Sequence, residues 1–195
     1  LATVEAAVDG GVTCVQLRAK GTDGGLFLTQ VLEVAEVIGD QVPVIVNDRV
    51  DIFLAARDQG ASVAGVHLGQ SDLPARIARR LVGEEAYLGL SAATPDELRT
   101  AQEQGACDHV GIGVVHPTAT KADAPKSLGV NGVARMAALI DLPAVAIGGI
   151  TASDLPALRA GGLAGAAVVS AICTADDPRS VAADLHRAWD EGCRR

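Results

Sequence analysis

Gln16, Arg18 and Lys20 alternate along one short run, so on an extended strand their side chains share a face. Arginine and lysine at a strand end suit a diphosphate, the guanidinium offering bidentate contact and the ammonium a point charge. A second constellation is anionic. Asn47 and Asp48 follow the apolar run 44–46, and Asp72 follows the run 65–68. Two carboxylates, completed by waters and substrate phosphate, are the usual ligands of Mg2+. Asp72, ahead of Leu73-Pro74, is also placed to cap a helix.

Three further groups point to anions. Gly148-Gly149 ends one apolar run and Val169-Ser170 ends the next, places where backbone N–H groups and a helix N-terminus receive phosphate. Pro117-Thr118-Ala119-Thr120-Lys121 sets two hydroxyls and an ammonium around a turn, able to orient a phosphate ester and neutralise a leaving group; a plain exposed turn is the other reading. Ser91 closes the run 88–90. Of the histidines, His116 stands beside the threonine-rich turn, His67 reads as a packed or site-wall residue, and His109 and His186 as structural or exposed. No Ser/His/Asp order or His/Cys metal spacing stands out.

These groups need elements to hold them. Seven short Val/Ile/Leu runs occupy residues 12–17, 44–46, 65–68, 88–90, 110–112, 144–147 and 166–169, most of them spaced about 22 residues apart, the size of one βα unit. Helix-like amphipathic segments lie between and after them, at 26–38, 50–59, 73–81, 95–104, 130–140, 154–160 and 178–191. Thr94-Pro95-Asp96-Glu97, Ser153-Asp154 and Asp177-Pro178 are helix starts, and Gly39, Gly60, Gly83, Gly105 and Gly161 lie near helix ends. Charge-free strands separated by helices predict a parallel sheet covered by helices. A doubly wound open sheet and a (β/α)8 barrel both satisfy that pattern; the even spacing favours the barrel. A barrel takes eight strands, and one repeat before the first run falls ahead of residue 1. Residues 1–10 are then the helix of a unit whose strand is missing from this chain, and 1–195 form a single domain.

Composition removes other classes. The 195 residues carry a net charge of −8 and only 2% aromatics, so the basic stripe and stacking platforms of nucleic-acid binding are absent. Hydrophobic residues at 49% and charged ones at 21% match a folded globular domain. The longest charge-free stretch, 160–175, is interrupted by Gly, Ser and Thr and is shorter than the ~20 apolar residues of a membrane span. Cys14, Cys107, Cys173 and Cys193 form no CxxC pair and read as small buried hydrophobes of a reducing cytoplasm.

The strings Gln16-Leu17-Arg18-Ala19-Lys20, Val46-Asn47-Asp48-Arg49, Gly65-Val66-His67-Leu68-Gly69-Gln70-Ser71-Asp72, Leu90-Ser91, Pro117-Thr118-Ala119-Thr120-Lys121, Ala146-Ile147-Gly148-Gly149-Ile150 and Val168-Val169-Ser170-Ala171-Ile172 together resemble the thiamine-phosphate synthase family, in its order and over nearly the whole chain. The resemblance implies a (β/α)8 barrel and a Mg2+-dependent transferase. Its two small phosphorylated substrates would be a hydroxymethylpyrimidine diphosphate and a thiazole phosphate, or the carboxylated form of the latter. Gln16, Leu17, Arg18, Ala19, Lys20, Asn47, Ser91 and Lys121 would then hold the pyrimidine diphosphate, with Arg18, Lys20, Ser91 and Lys121 catalytic. Asp48 and Asp72 would ligate Mg2+; Thr118, Ala119, Thr120, Gly149, Val169 and Ser170 would hold the thiazole phosphate. It also suggests a homo-oligomer, and fusion to another domain of the same pathway is open. A thiazole tautomerase-like isomerase and a non-catalytic phosphate-binding barrel are the alternatives; a tautomerase has no diphosphate to neutralise. The chain departs from the family between Asp48 and His67, a segment about five residues longer than expected, and at Ala93, Val114 and His116.

Overall fold

The structure is a computed structural model and describes residues 1–118 and 126–194. Seven strands alternate with helices: α1 Ala2–Asp9, β1 Val15–Leu17, α2 Gly24–Ile38, β2 Val44–Asn47, α3 Val50–Asp58, β3 Gly65–Leu68, α4 Ala75–Val82, β4 Tyr87–Ala92, α5 Pro95–Gln104, β5 His109–Gly113, α6 Gly129–Ala137, β6 Ala144–Ile147, α7 Leu155–Ala160, β7 Gly165–Ala167, α8 Ser170–Cys173 and α9 Pro178–Glu191. Every pairing is parallel, and each strand pairs with its neighbour in sequence from β1 through β7. Such an order never reverses, so it lacks the switch point of a doubly wound sheet. The α/β fold is therefore wound in the TIM-barrel manner, and all seven strands end on one edge.

β2 and β3 are buried along their whole length, which their unbroken apolar runs require when both faces of a sheet are covered. Helices supply the larger side chains of the outer layer: Phe27, Phe53, Leu98 and Leu158 are almost wholly buried against the strands. Burying each such side chain contributes about 1.5–3 kcal/mol. Between them Ala56, Ala78 and Ala101 allow close helix–strand approach. The Thr94 start is a full capping box, its hydroxyl accepting from Glu97 N while the Glu97 carboxylate accepts from Thr94 N and Ala93 N. Asp177 caps α9 through Ser180 N.

Some boundaries differ from the sequence reading. The first strand starts at Val15 and not at residue 12, because residues 10–12 turn back on α1: Val12 N donates to Ala7 O. The last apolar run leaves the sheet after Ala167, since Val168-Val169 leads straight into α8, a helix that the sequence reading does not resolve as an element. The start assigned to Ser153-Asp154 is a capping box between Thr151 and Asp154. Among the four cysteines only Cys107 is buried; Cys14, Cys173 and Cys193 lie outside regular strands and are exposed. Among the described residues no helix is long and apolar enough to cross a membrane. The helical layer joins its ends: a Cβ at Gly10 of the turn after α1 would stand 2.7 Å from Ala182 Cβ of α9, and Gly11 O and His186 Nδ1 lie 3.0 Å apart.

Candidate active site

Among the described residues, those with the chemistry of the candidate site fall at or beyond the carboxyl ends of the strands. From β1 into the segment that follows it the exposure alternates: Gln16 on the strand and Arg18 and Lys20 beyond its end are exposed, Leu17 and Ala19 half-buried. The face anticipated for the two cations is thus open to a ligand. Asn47, the last residue of β2, is buried, and Asp48 follows it with φ 64°, a left-handed conformation that Asp tolerates better than most residues. Asp48 N donates to His67 O at 2.8 Å, and that bond ties together the two ends of the segment between them. α3 and the turn after it fill the segment between them, and the β2–β3 register runs from Ile45↔Gly65 to Asn47↔His67.

Asp72 does not cap α4, which begins at Ala75 with Pro74 at the N-cap and no side-chain cap. Its Oδ2 instead accepts from Gly69 N at 2.7 Å, fixing the carboxylate inside its own turn. Asp48 and Leu73, the neighbour of Asp72, line one open groove of about 320 Å³. Asp51 borders the same groove, but its carboxylate is engaged by Arg49 at 2.6 and 2.8 Å, and that hydrogen-bonded pairing holds its pKa below the usual range. Among the described residues no three His, Cys, Asp or Glu side chains converge as a metal site. The candidate donors read from the sequence are the Asp48 and Asp72 carboxylates, with the buried Asn47 carboxamide next to the first. Hard oxygens in so small a number fit Mg2+, which keeps several waters and takes phosphate oxygens, better than an ion needing an all-protein cage.

Ser91, near the end of β4, is 3.0 Å from His67 Nε2, and its carbonyl accepts from Gln70 Nε2 at 2.6 Å. His67 therefore enters the site more directly than the sequence reading gave it. A signal existed: a polar residue inside an otherwise apolar strand, two strands from the cationic run.

The Gly148-Gly149 pair is explained by the chain that crosses it. Both glycines have positive φ, 95° and 65°; a Cβ at 148 would lie 2.5 Å from Val114 Cγ1, and one at 149 would lie 2.9 Å from His116 O. Val115 N and His116 N donate to Ile147 O and Gly148 O, so the segment after β5 lies along β6. Leu128 N and Gly129 N donate to Val114 O and Val115 O, so the start of α6 is hydrogen-bonded to the same segment. Thr118 is half-buried; Ala119, Thr120 and Lys121 lie outside the described residues. Val169 and Ser170, both exposed, form the start of α8 beyond β7.

His116 Nε2 meets Asp154 Oδ1 at 3.0 Å, joining the segment after β5 to the start of α7. Burial pushes the Asp154 carboxyl up, but hydrogen bonds from His116 and Thr151 outweigh it and the pKa is lowered overall. A carboxylate with a depressed folded pKa adds stability that is complete above the unfolded value of about 3.9 and lost as pH falls through the folded value. His116→Ala should raise the Asp154 pKa, read by carboxyl-carbon NMR titration, and cost about 1 kcal/mol near pH 5. An unchanged titration would remove the contact from the account.

Fold and site define a parallel α/β enzyme of TIM-barrel type, with polar groups from successive strands gathered at one edge. The family model for thiamine monophosphate synthase matches residues 1–172. Thiamine-phosphate synthase of Vibrio parahaemolyticus is 44% identical over 188 residues, covering 96% of this chain and 89% of that protein. The Vibrio campbellii thiamine-phosphate synthase is 43% identical over 178 residues, covering 91% and 84%. Among solved structures, thiamine phosphate pyrophosphorylase from Pyrococcus furiosus superimposes with a TM-score of 0.86 at 29% identity, covering 98% of this chain and 89% of that one. The chain belongs to the thiamine monophosphate synthase family.

Proposed function

We propose that this enzyme condenses 4-amino-2-methyl-5-(diphosphooxymethyl)pyrimidine with 4-methyl-5-(2-phosphooxyethyl)thiazole, or its carboxylated form, in the presence of Mg2+. The C–O bond to the diphosphate breaks, the leaving group keeping the electron pair. A new C–N bond forms from the thiazole nitrogen lone pair to the pyrimidine methylene carbon, giving thiamine phosphate and diphosphate, with CO2 released as well when the thiazole carries the carboxylate. The observation that carries the reading is the sequence of polar groups along one sheet edge: Gln16, Arg18 and Lys20 at β1, Asn47 and Asp48 at β2, Asp72 after β3 and Ser91 on β4.

Such a reaction asks little of a base or nucleophile. It needs charge stabilisation on the departing group and placement of two substrates. Arg18, Lys20 and Lys121 would take the diphosphate, with Gln16, Asn47 and Ser91 orienting it. Asp48 and Asp72 would hold Mg2+, which when bound supplies further positive charge to the leaving oxygens. Thr118, Ala119, Thr120, Gly149, Val169 and Ser170 would hold the thiazole phosphate, the anion facing backbone N–H groups beside the glycine pair. The packing of α1 on α9 supports an eight-stranded (β/α) barrel, its remaining strand standing between β7 and β1. Incubation with both substrates and Mg2+ should release diphosphate and thiamine phosphate in equal amounts. Diphosphate release without coupled product, or neither, would overturn the assignment.

A further inference from the structure

His67 on β3 and His109 on β5 face each other across Gly89 of β4, in register on both sides. Their ring centroids are 5.6 Å apart and the planes are tilted by 37°. Glycine makes that meeting possible. A Cβ at 89 would stand 2.3 Å from His67 Nδ1 and 2.4 Å from His109 Nε2, and one at Gly111 would stand 3.2 Å from His67 Cε1. The His67 ring is thus seated in a notch between two strands, with His109 behind it and Ser91 ahead. From β3 and its end Ser91 is gripped twice, at its hydroxyl by His67 and at its carbonyl by Gln70.

We propose that His67, buttressed by His109 across Gly89, is a positioning residue that orients the Ser91 hydroxyl toward the diphosphate. The inference rests on the reading above that Ser91 holds the pyrimidine diphosphate. A diphosphate oxygen only accepts, and a serine hydroxyl has one proton to give. If Ser91 spends that proton on the anion, the bond with His67 must run the other way, from Nε2–H to Ser91 Oγ. That bond polarises the hydroxyl and makes it a better donor. His109 acts one step further back, by keeping the ring from turning away.

A double-mutant cycle tests this through steady-state kinetics with both substrates and Mg2+. Ser91→Ala and His67→Leu are each expected to lower kcat/KM about 10-fold to 100-fold, the size of one lost hydrogen bond to a charged group. The double variant should be no worse than Ser91→Ala alone, because His67 acts only through that hydroxyl. His67→Gln, which keeps a side-chain N–H, should recover part of the loss, and His109→Ala should weaken the coupling. Losses that multiply in the double variant would overturn the positioning role while leaving Ser91 in the site. If Ser91→Ala is fully active, the reading of Ser91 falls and the inference with it. Thermal unfolding of each variant separates these outcomes from loss of fold.

Discussion

Asp48→Asn and Asp72→Asn should each reduce turnover by roughly 10³-fold, with Mg2+ titration no longer restoring it, because cation-assisted charge stabilisation is among the larger catalytic terms. Asparagine is the informative replacement at both positions. At residue 48 the backbone φ of 64° would strain an alanine, whereas Asn adopts the left-handed region at least as readily as Asp. At residue 72 an amide oxygen can still accept from Gly69 N, which the carboxylate now does at 2.7 Å. Each substitution therefore removes charge while the turn is kept. Circular dichroism and the unfolding midpoint should stay near those of the parent. Normal turnover in both variants would sink the assignment of the two carboxylates to Mg2+.

Arg79→Met should lower stability by about 3 kcal/mol, a fall in Tm of roughly 6–12 °C for a chain of this size, without changing kcat. Arg79 is buried near the end of α4 and spends its guanidinium on four partners: Ala106 O, Gly83 O, Ala86 O and Asp108 Oδ2. The same Asp108 oxygen accepts from Leu88 N at 2.7 Å. One side chain thereby ties the entries of β4 and β5 to α4. Its removal leaves buried carbonyls short of a donor, although half-exposure of Asp108 keeps the cost below that of a fully buried pair. All these groups lie at the amino ends of the strands, opposite the candidate site, so stability and turnover should separate. A Tm unchanged within a degree would mean that solvent replaces the staple.

Much of this was legible in the sequence because strand and helix leave different periods. The runs at 65–68 and 144–147 are the observed β3 and β6, and α5 and α9 have the expected bounds, each marked by a cap residue and proline. The choice between barrel and open sheet needed the pairing order, since both write the same alternation of elements. What the sequence left out depends on where side chains turn. Asp72 looked like a helix cap or a metal ligand; its bond to Gly69 N settles only that it is no cap. The polar His67 inside an apolar strand marked a site residue but not its partner Ser91, because that contact joins neighbouring strands and requires two glycines to be in register with it. The exposed cysteines show the limit of local hydropathy: Cys14 ahead of β1 and Cys173 at the end of α8 have apolar neighbours in sequence and are exposed all the same.

The packing of α1 on α9 bears on how the chain assembles. Each strand of the sheet pairs with the strand next to it in sequence, so successive βα units need only short loop closures to form. Gly11 and His186 are 175 positions apart, and bringing them together requires nearly the whole chain to be in place. This contact therefore belongs to the end of folding, after the local units have been laid down. Amide exchange should be slowest in the buried central strands β3 to β5.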